Sequence, residues 1–201
     1  QGIGGYSYKL ITGYTYSQIL SYTVTKSTPT ATNIIGEKYD FILTAPGDYY
    51  VNGDLYGSVL VNGSGTARLY VTGNVSFSGK DDGITIKTGA NLQLFVGGPN
   101  TKLAGKGIVN DGGTAESFKY FGLPTNTDID MHGNFAFTGQ LYAPSANLSV
   151  GGGGNDDYDF VGAAVVASAK LNGHANFHYD EALSKSGLGT GFMIGSWTEE
   201  Y

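Results

Sequence analysis

Cysteine is absent from this 201-residue chain, so no disulfide staples the fold and no thiolate chemistry or Cys-zinc site is open to it. Charge is also scarce. Asp, Glu, Lys and Arg make up 14% of the residues, against about a quarter in an ordinary globular domain. Acidic residues outnumber basic ones, 17 to 11, for a net charge of −6, and a nucleic-acid binder needs the opposite balance. No apolar run reaches the ~18 residues of a membrane span, so membrane insertion is not expected. Helical periodicity is missing too. The one helix-like run, Tyr179 to Lys185, is too short for more than two turns.

What the chain does contain is glycine and aromatic side chains: Gly 33, Tyr 15 and Phe 10 beside a single Trp. The glycines do not fall at every third position, which excludes collagen. Low charge with 13% aromatics excludes a disordered chain. A core has to hold the protein together, and ~200 residues suffice for one.

The informative feature is a repeat. Val51-Asn52-Gly53, Val61-Asn62-Gly63 and Val71-Thr72-Gly73 recur at ten-residue spacing, and Gly83 continues the glycine series. Later segments have the same form, a short alternating strand and then a glycine: Leu92 to Gly97, Phe135 to Gly139, Asn147 to Gly151 and Ala169 to Gly173. A strand this short cannot bury its apolar face alone. Coiling such units into a column buries them all, which is the logic of a solenoid. Two ten-residue units predict a turn of about twenty residues. The sequence therefore reads as all-β, a right-handed parallel β-helix. The alternative is an antiparallel β-sandwich, whose strands also recur every 8–12 residues and whose hairpins favour Asn-Gly. Two features favour the coil. The glycines keep a constant phase, and Val161 to Ala167 is apolar on both faces, as a strand covered on both sides requires.

Residues 1–32 differ from the β-helix region 33–201. They carry aromatic and aliphatic side chains in alternation, among them Tyr6, Tyr8, Tyr14, Tyr16, Ile19 and Tyr22, and end in a Ser/Thr/Pro-rich connector. Such an arm folds as an edge strand or cap of its own domain, or pairs with a neighbouring subunit by β-augmentation. At the other end, the apolar run Phe192 to Trp197 is a candidate cover for the terminal rung. Gln1 in place of Met suggests either a processed mature chain or a trimmed one, and a removed signal peptide is compatible with the first.

Three pieces of the second half carry a family resemblance: Gly139-Gln140-Leu141-Tyr142-Ala143-Pro144, then Gly162-Ala163-Ala164-Val165-Val166-Ala167, then Phe177-His178-Tyr179-Asp180-Glu181-Ala182-Leu183. Together, from Phe135 to Leu183, they resemble the β-helical domain found downstream of PilX-type pilus-assembly segments and in bacterial surface proteins. The Trp197-Thr198-Glu199 ending is similar as well. The resemblance implies a right-handed β-helix at the bacterial cell surface or outside the cell, and no known catalytic activity. Residues 1–40 are not covered by it, and no hydrophobic pilin-type helix precedes the domain in this sequence.

Several constellations could carry chemistry. His178, Tyr179, Asp180 and Glu181 are the densest ionisable cluster. Neighbours on a strand point to opposite faces, so a structural corner with Asp180 or Glu181 capping a short turn accounts for them. Asp128, Asp130 and His132 alternate with Ile129 and Met131. That puts all three on one strand face, roughly 6.6 Å apart, a spacing compatible with the paired carboxylates of a glycosidase; a solvated outer face explains the same alternation. Gly151 to Asp159 loosely matches a calcium-binding nonapeptide, with Asp156, Asp157 and Asp159 as candidate ligands. That motif works in tandem arrays, and a turn accounts for the single copy here. Lys80-Asp81-Asp82-Gly83 reads as an ordinary turn, and Asn62, Asn74 and Asn147 are in glycosylation sequons. No nucleophile elbow, phosphate-binding loop or zinc-protease motif is present.

These readings lead to a structural protein with no catalytic residues, metal or cofactor. Its expected partner is a second copy of itself, in a filament or fibre joined through open β-edges or the N-terminal arm. The alternative is a surface protein that binds or cleaves a glycan.

Overall fold

The computed structural model of the chain describes residues 32–34, 37–104, 106–133, 137–152, 160–172, 176–181 and 183. The assembly-arm residues Tyr6, Tyr8, Tyr14, Tyr16, Ile19 and Tyr22 lie outside the described residues, as do the calcium candidates Asp156, Asp157 and Asp159 and the terminal Trp197.

A short antiparallel pair, β1 (Thr32–Ile34) with β2 (Glu37–Tyr39), precedes a coil in which every described pairing is parallel. The coil is a parallel β-solenoid with three faces. The first face stacks the start of β3 (Phe41–Val51), the start of β5 (Ser58–Val71), β7 (Gly83–Ile86) and β10 (Gly107–Asn110). The middle face stacks the rest of β3 and β5, β8 (Ala90–Val96), β11 (Phe118–Gly122), the starts of β13 (Phe137–Gly152) and β14 (Phe160–Leu171), and β15 (Phe177–Tyr179). The third face stacks β4 (Leu55–Tyr56), β6 (Val75–Phe77), β9 (Asn100–Leu103), β12 (Asp128–Gly133) and the ends of β13 and β14. Among the described residues no helix is long and apolar enough to cross a membrane.

The register explains the ten-residue repeat. Val51 pairs with Val71, one turn of twenty residues apart, while Val61-Asn62-Gly63 stands at the preceding corner, where Gly63 pairs with Ala45. The repeat thus alternates between two corners of the same coil. The Asn-Gly pairs turn the chain from one face to the next and close no hairpin. Later turns exceed the expected twenty residues: Leu69 to Leu94 and Leu94 to Tyr120 span 25 and 26. The extra length lies mainly in the connections between faces: residues 78–82 between β6 and β7, where a single residue joins β4 to β5, and the segment after β10 that holds the 3-10 turn η1 (Ala115–Ser117).

Alternation along each strand sends one set of side chains into the shared column. On the middle face Leu69, Leu94, Tyr120, Leu141 and Ala164 follow one another inward; on the third, Val75, Thr101, Ile129, Leu148 and Ala169. Phe137, Phe160 and Phe177 form an inner stack, with ring centroids 4.4 and 4.5 Å apart. Each such pair adds about 0.5–1.5 kcal/mol beyond burial of its area. The close approach beside this stack demands glycine. Gly162 has φ +143°, and a Cβ there would sit 1.8 Å from the Gly139 carbonyl oxygen. A second apolar cluster runs up the outer side of the middle face, through Tyr70, Phe95, Phe121, Leu123 and Tyr142, with Tyr50 and Val165 packed against it. Val165 faces this cluster while Ala164 and Val166 pack on the main core, so this strand has apolar contacts on both faces, as its composition suggested.

Three of the buried polar side chains form one network. The Tyr120 hydroxyl shares a hydrogen with Thr101 Oγ1 at 2.6 Å and donates to Asn126 Oδ1 at 2.9 Å; Asn126 Nδ2 donates to the Gly98 carbonyl at 2.9 Å and to Thr101 Oγ1 at 3.2 Å. This network ties the 123–127 loop to the turn below it.

Candidate functional site

The two ends of the column differ. Among the described residues the large exposed apolar side chains are Tyr56, Leu171, Phe177 and Tyr179, and all four stand on the first or the last rungs. Leu171 occupies an inward position, continuing the column Phe77, Leu103, Met131 and Val150. Those four are at most 1% exposed, and Leu171 is 55% exposed. Phe177 continues the inner phenylalanine stack and is 44% exposed; Tyr179, in register with buried Gly162, is 48% exposed. Among the described residues none covers the apolar column at its C-terminal end. At the N-terminal end it is covered: Leu43, Val51 and Leu55, on the first rung, are buried.

The backbone shows the same open end. Ser168 to Leu171 pairs on one side with Asn147 to Val150 of β13, and among the described residues no strand lies on its other side. A row of unpaired amide and carbonyl groups at an edge is a template for another strand.

The outer side of the third face is polar. Tyr56, Ser76, Lys102, Asp130, Ser149 and Lys170 follow one another in register. Beside them, at the corner, the Asn74 amide donates to Asp54 Oδ1 at 2.7 Å, the Asn100 amide to Asn74 Oδ1 at 2.8 Å, and Ser168 Oγ to Asn147 Oδ1 at 2.7 Å. Asp54, Asn74, Ser76, Asn100, Lys102, Asp128 and Asp130 line a groove of about 390 Å³.

Asp128, Asp130 and His132 share the outer face of β12, with Ile129 and Met131 buried beneath, as alternation predicts. The His132 Nδ1 lies against the Asp130 carboxylate, and both side chains are close to half exposed. The imidazole rests on Gly151 of the next turn, where a Cβ would meet the ring at 2.7 Å.

The strand register separates two members of the terminal cluster. His178 is in register with Val161 and Tyr179 with Gly162, on opposite sides of β15. The Asp180 carboxylate accepts the Ala115 amide of η1 at 3.4 Å, and the Leu183 amide donates to the Asp180 carbonyl at 3.0 Å. Asp180 thus helps to bind the chain's last described turn to an insertion several rungs below. Lys80 to Gly83 is a turn in which the Asp82 carboxylate accepts the Ser78 and Gly79 amides. Among the described residues no three His, Asp or Glu side chains are grouped to hold a metal.

The open end was missed in the sequence. Leu171, Phe177 and Tyr179 have the same inward alternation as covered residues, and only their exposure among the described residues distinguishes them.

Comparison with protein-family models gives one finding: residues 15–186 match a family described as a domain of unknown function, DUF7305. No curated protein and no solved structure matches the chain.

Proposed function

The chain belongs to the DUF7305 family of unknown function, and we propose that it is a non-enzymatic structural subunit that assembles with copies of itself. The observation that carries this reading is the open C-terminal end, where Leu171, Phe177 and Tyr179 occupy core positions and are each about half exposed. Among the described residues nothing covers these positions, and a second molecule can complete them. The two ends of the column are unlike, so a contact between them is heterologous and generates an open filament. The setting we propose is the bacterial cell surface or the extracellular space, in a pilus-like or adhesive fibre. It is supported by low charge, absent cysteine and the resemblance of Phe135 to Leu183 to domains downstream of PilX-type segments. The test is negative-stain microscopy of the full chain over a concentration series. Rods one solenoid wide that lengthen with concentration are expected, and particles of single-chain size throughout would reject the reading.

The groove on the third face favours a second reading, a surface glycan ligand. It is lined by hydrogen-bonding side chains and carboxylates, with exposed Tyr56 on the same outer row. A panel of neutral and acidic polysaccharides tests it. Binding weakened by Asp128→Asn and Asp130→Asn supports it, and turnover by the wild type that these variants abolish would reinstate an enzyme; no binding removes it.

A further inference from the structure

We infer that the groove on the third face takes a linear 1,4-linked amino-sugar chain, laid along the solenoid axis with one sugar on each of successive rungs. This rests on the glycan reading above and names the polymer, its direction and the length that the groove reads.

Three observations carry it. First, the groove follows the axis and repeats with the rungs. Val75 and Thr101, which point inward and pair in register, lie along its floor. Two outward rows flank them. In the corner row Asp54, Asn74 and Asn100 directly precede the paired Leu55, Val75 and Thr101, and Asp128 pairs with Asn100. In the other row Tyr56, Ser76, Lys102 and Asp130 pair in turn. Neighbouring strands are about 4.8 Å apart, close to the length of one 1,4-linked pyranose unit. A chain of such units laid across the strands meets an equivalent position at each sugar, and β4, β6, β9 and β12 offer one position each. Second, the corner row is fixed against the backbone. Asp54 Oδ1 accepts the Asn74 amide and Asn74 Oδ1 accepts the Asn100 amide. This leaves Asp54 Oδ2 and Asn74 Nδ2 to a ligand, an acceptor and a donor whose orientation is already set. Third, the charge and the aromatic select the sugar. Three carboxylates, of Asp54, Asp128 and Asp130, face the single cation of Lys102 in the groove. That balance repels a uronate chain and attracts ammonium groups. Tyr56 heads the second row and is 67% exposed, so its ring offers an apolar surface to the C–H face of a sugar, with the hydroxyl left to water.

The test is isothermal titration calorimetry of the full chain with 1,4-linked glucosamine oligomers from the dimer to the hexamer, beside their N-acetylated counterparts, galacturonate oligomers and tetralysine. Affinity for the glucosamine series should rise with each unit up to the tetramer and then level off. The N-acetylated tetramer should bind more weakly, and the galacturonate tetramer more weakly still. Asp128→Asn and Asp130→Asn should each weaken the glucosamine tetramer about two- to fivefold, the range of one exposed ion pair, and the N-acetylated tetramer by less. Tyr56→Ala should make the tetramer bind as the trimer binds the wild type. All three side chains point outward, so the variants should keep the wild-type circular dichroism. Affinity independent of length would overturn the inference, as would a glucosamine tetramer indifferent to both Asn variants. Tetralysine binding as tightly as the sugar would show that charge alone is read, and N-acetylated or galacturonate oligomers binding as tightly as glucosamine that charge is not read; either result also overturns it. If a different glycan binds and Asp128→Asn or Asp130→Asn weakens it, the inference fails while the glycan reading stands. A chain that binds no glycan of any kind overturns both.

Discussion

Asn126→Ala should be among the most damaging single substitutions of a polar residue in this protein. The side chain is fully buried. It gives one hydrogen bond to the Gly98 carbonyl and one to Thr101 Oγ1, and takes one from the Tyr120 hydroxyl. A buried hydrogen bond contributes about 1 kcal/mol net, and a buried group left without its partner costs a further ~1–3 kcal/mol. Tyr120 keeps Thr101 at 2.6 Å, so its hydroxyl is not stranded, but the Gly98 carbonyl loses this donor. Three such bonds and one stranded carbonyl sum to about 4–6 kcal/mol. Tyr120→Phe leaves Asn126 and Thr101 to each other at 3.2 Å and should cost only ~1–2 kcal/mol. The two changes share a partner, so their effects should be non-additive. Asn126→Asp should be worse than Asn126→Ala, because it turns a donor facing the Gly98 carbonyl into an acceptor. Urea unfolding followed by circular dichroism reads all of these. An Asn126→Ala variant within about 1 kcal/mol of the wild type, or an Asp variant milder than the Ala variant, would refute the argument that this network pins the loop to the turn below.

Gly162→Ala should cost more than about 2 kcal/mol, since the methyl group would overlap the Gly139 carbonyl and the residue sits at φ +143°; a thermal melt within a degree or two of wild type would contradict it. Phe160→Ala removes a ring that stacks on both Phe137 and Phe177 and should cost ~3–5 kcal/mol by urea unfolding. Arg68 holds Asp48 through two hydrogen bonds, at 2.6 and 2.8 Å, with both side chains mostly buried, so Arg68→Ala should cost about 1–2 kcal/mol. Lys87→Ala breaks a more exposed pair with Asp111 and should cost under ~1 kcal/mol; equal effects of the two would show that burial does not set their strength.

The coil was legible in the sequence where its turns are short. Val51 and Val71 are twenty residues apart and in register, and the glycines that mark the corners keep their phase there. Beyond Gly83 the period breaks, because loops and the 3-10 turn of Ala115–Ser117 enter between strands whose register continues in space. Phe137, Phe160 and Phe177 stack directly, yet their spacings along the chain are unequal. The outer face of Asp128, Asp130 and His132 could be read from alternation alone. The network of Thr101, Tyr120 and Asn126 could not, since a polar residue in a loop has the same pattern whether it is solvated or buried. The open end has the corresponding difficulty: strand alternation says which way Leu171 points, but not whether another rung follows.

The most direct measurement of the central claim is sedimentation velocity on the full-length protein and its Leu171→Asp variant over the same concentration range. Completion of an open column by a second copy predicts wild-type species that grow with concentration and a variant that stays at single-chain mass. A wild type that sediments as a single chain at every concentration, or a variant that associates as the wild type does, would contradict it.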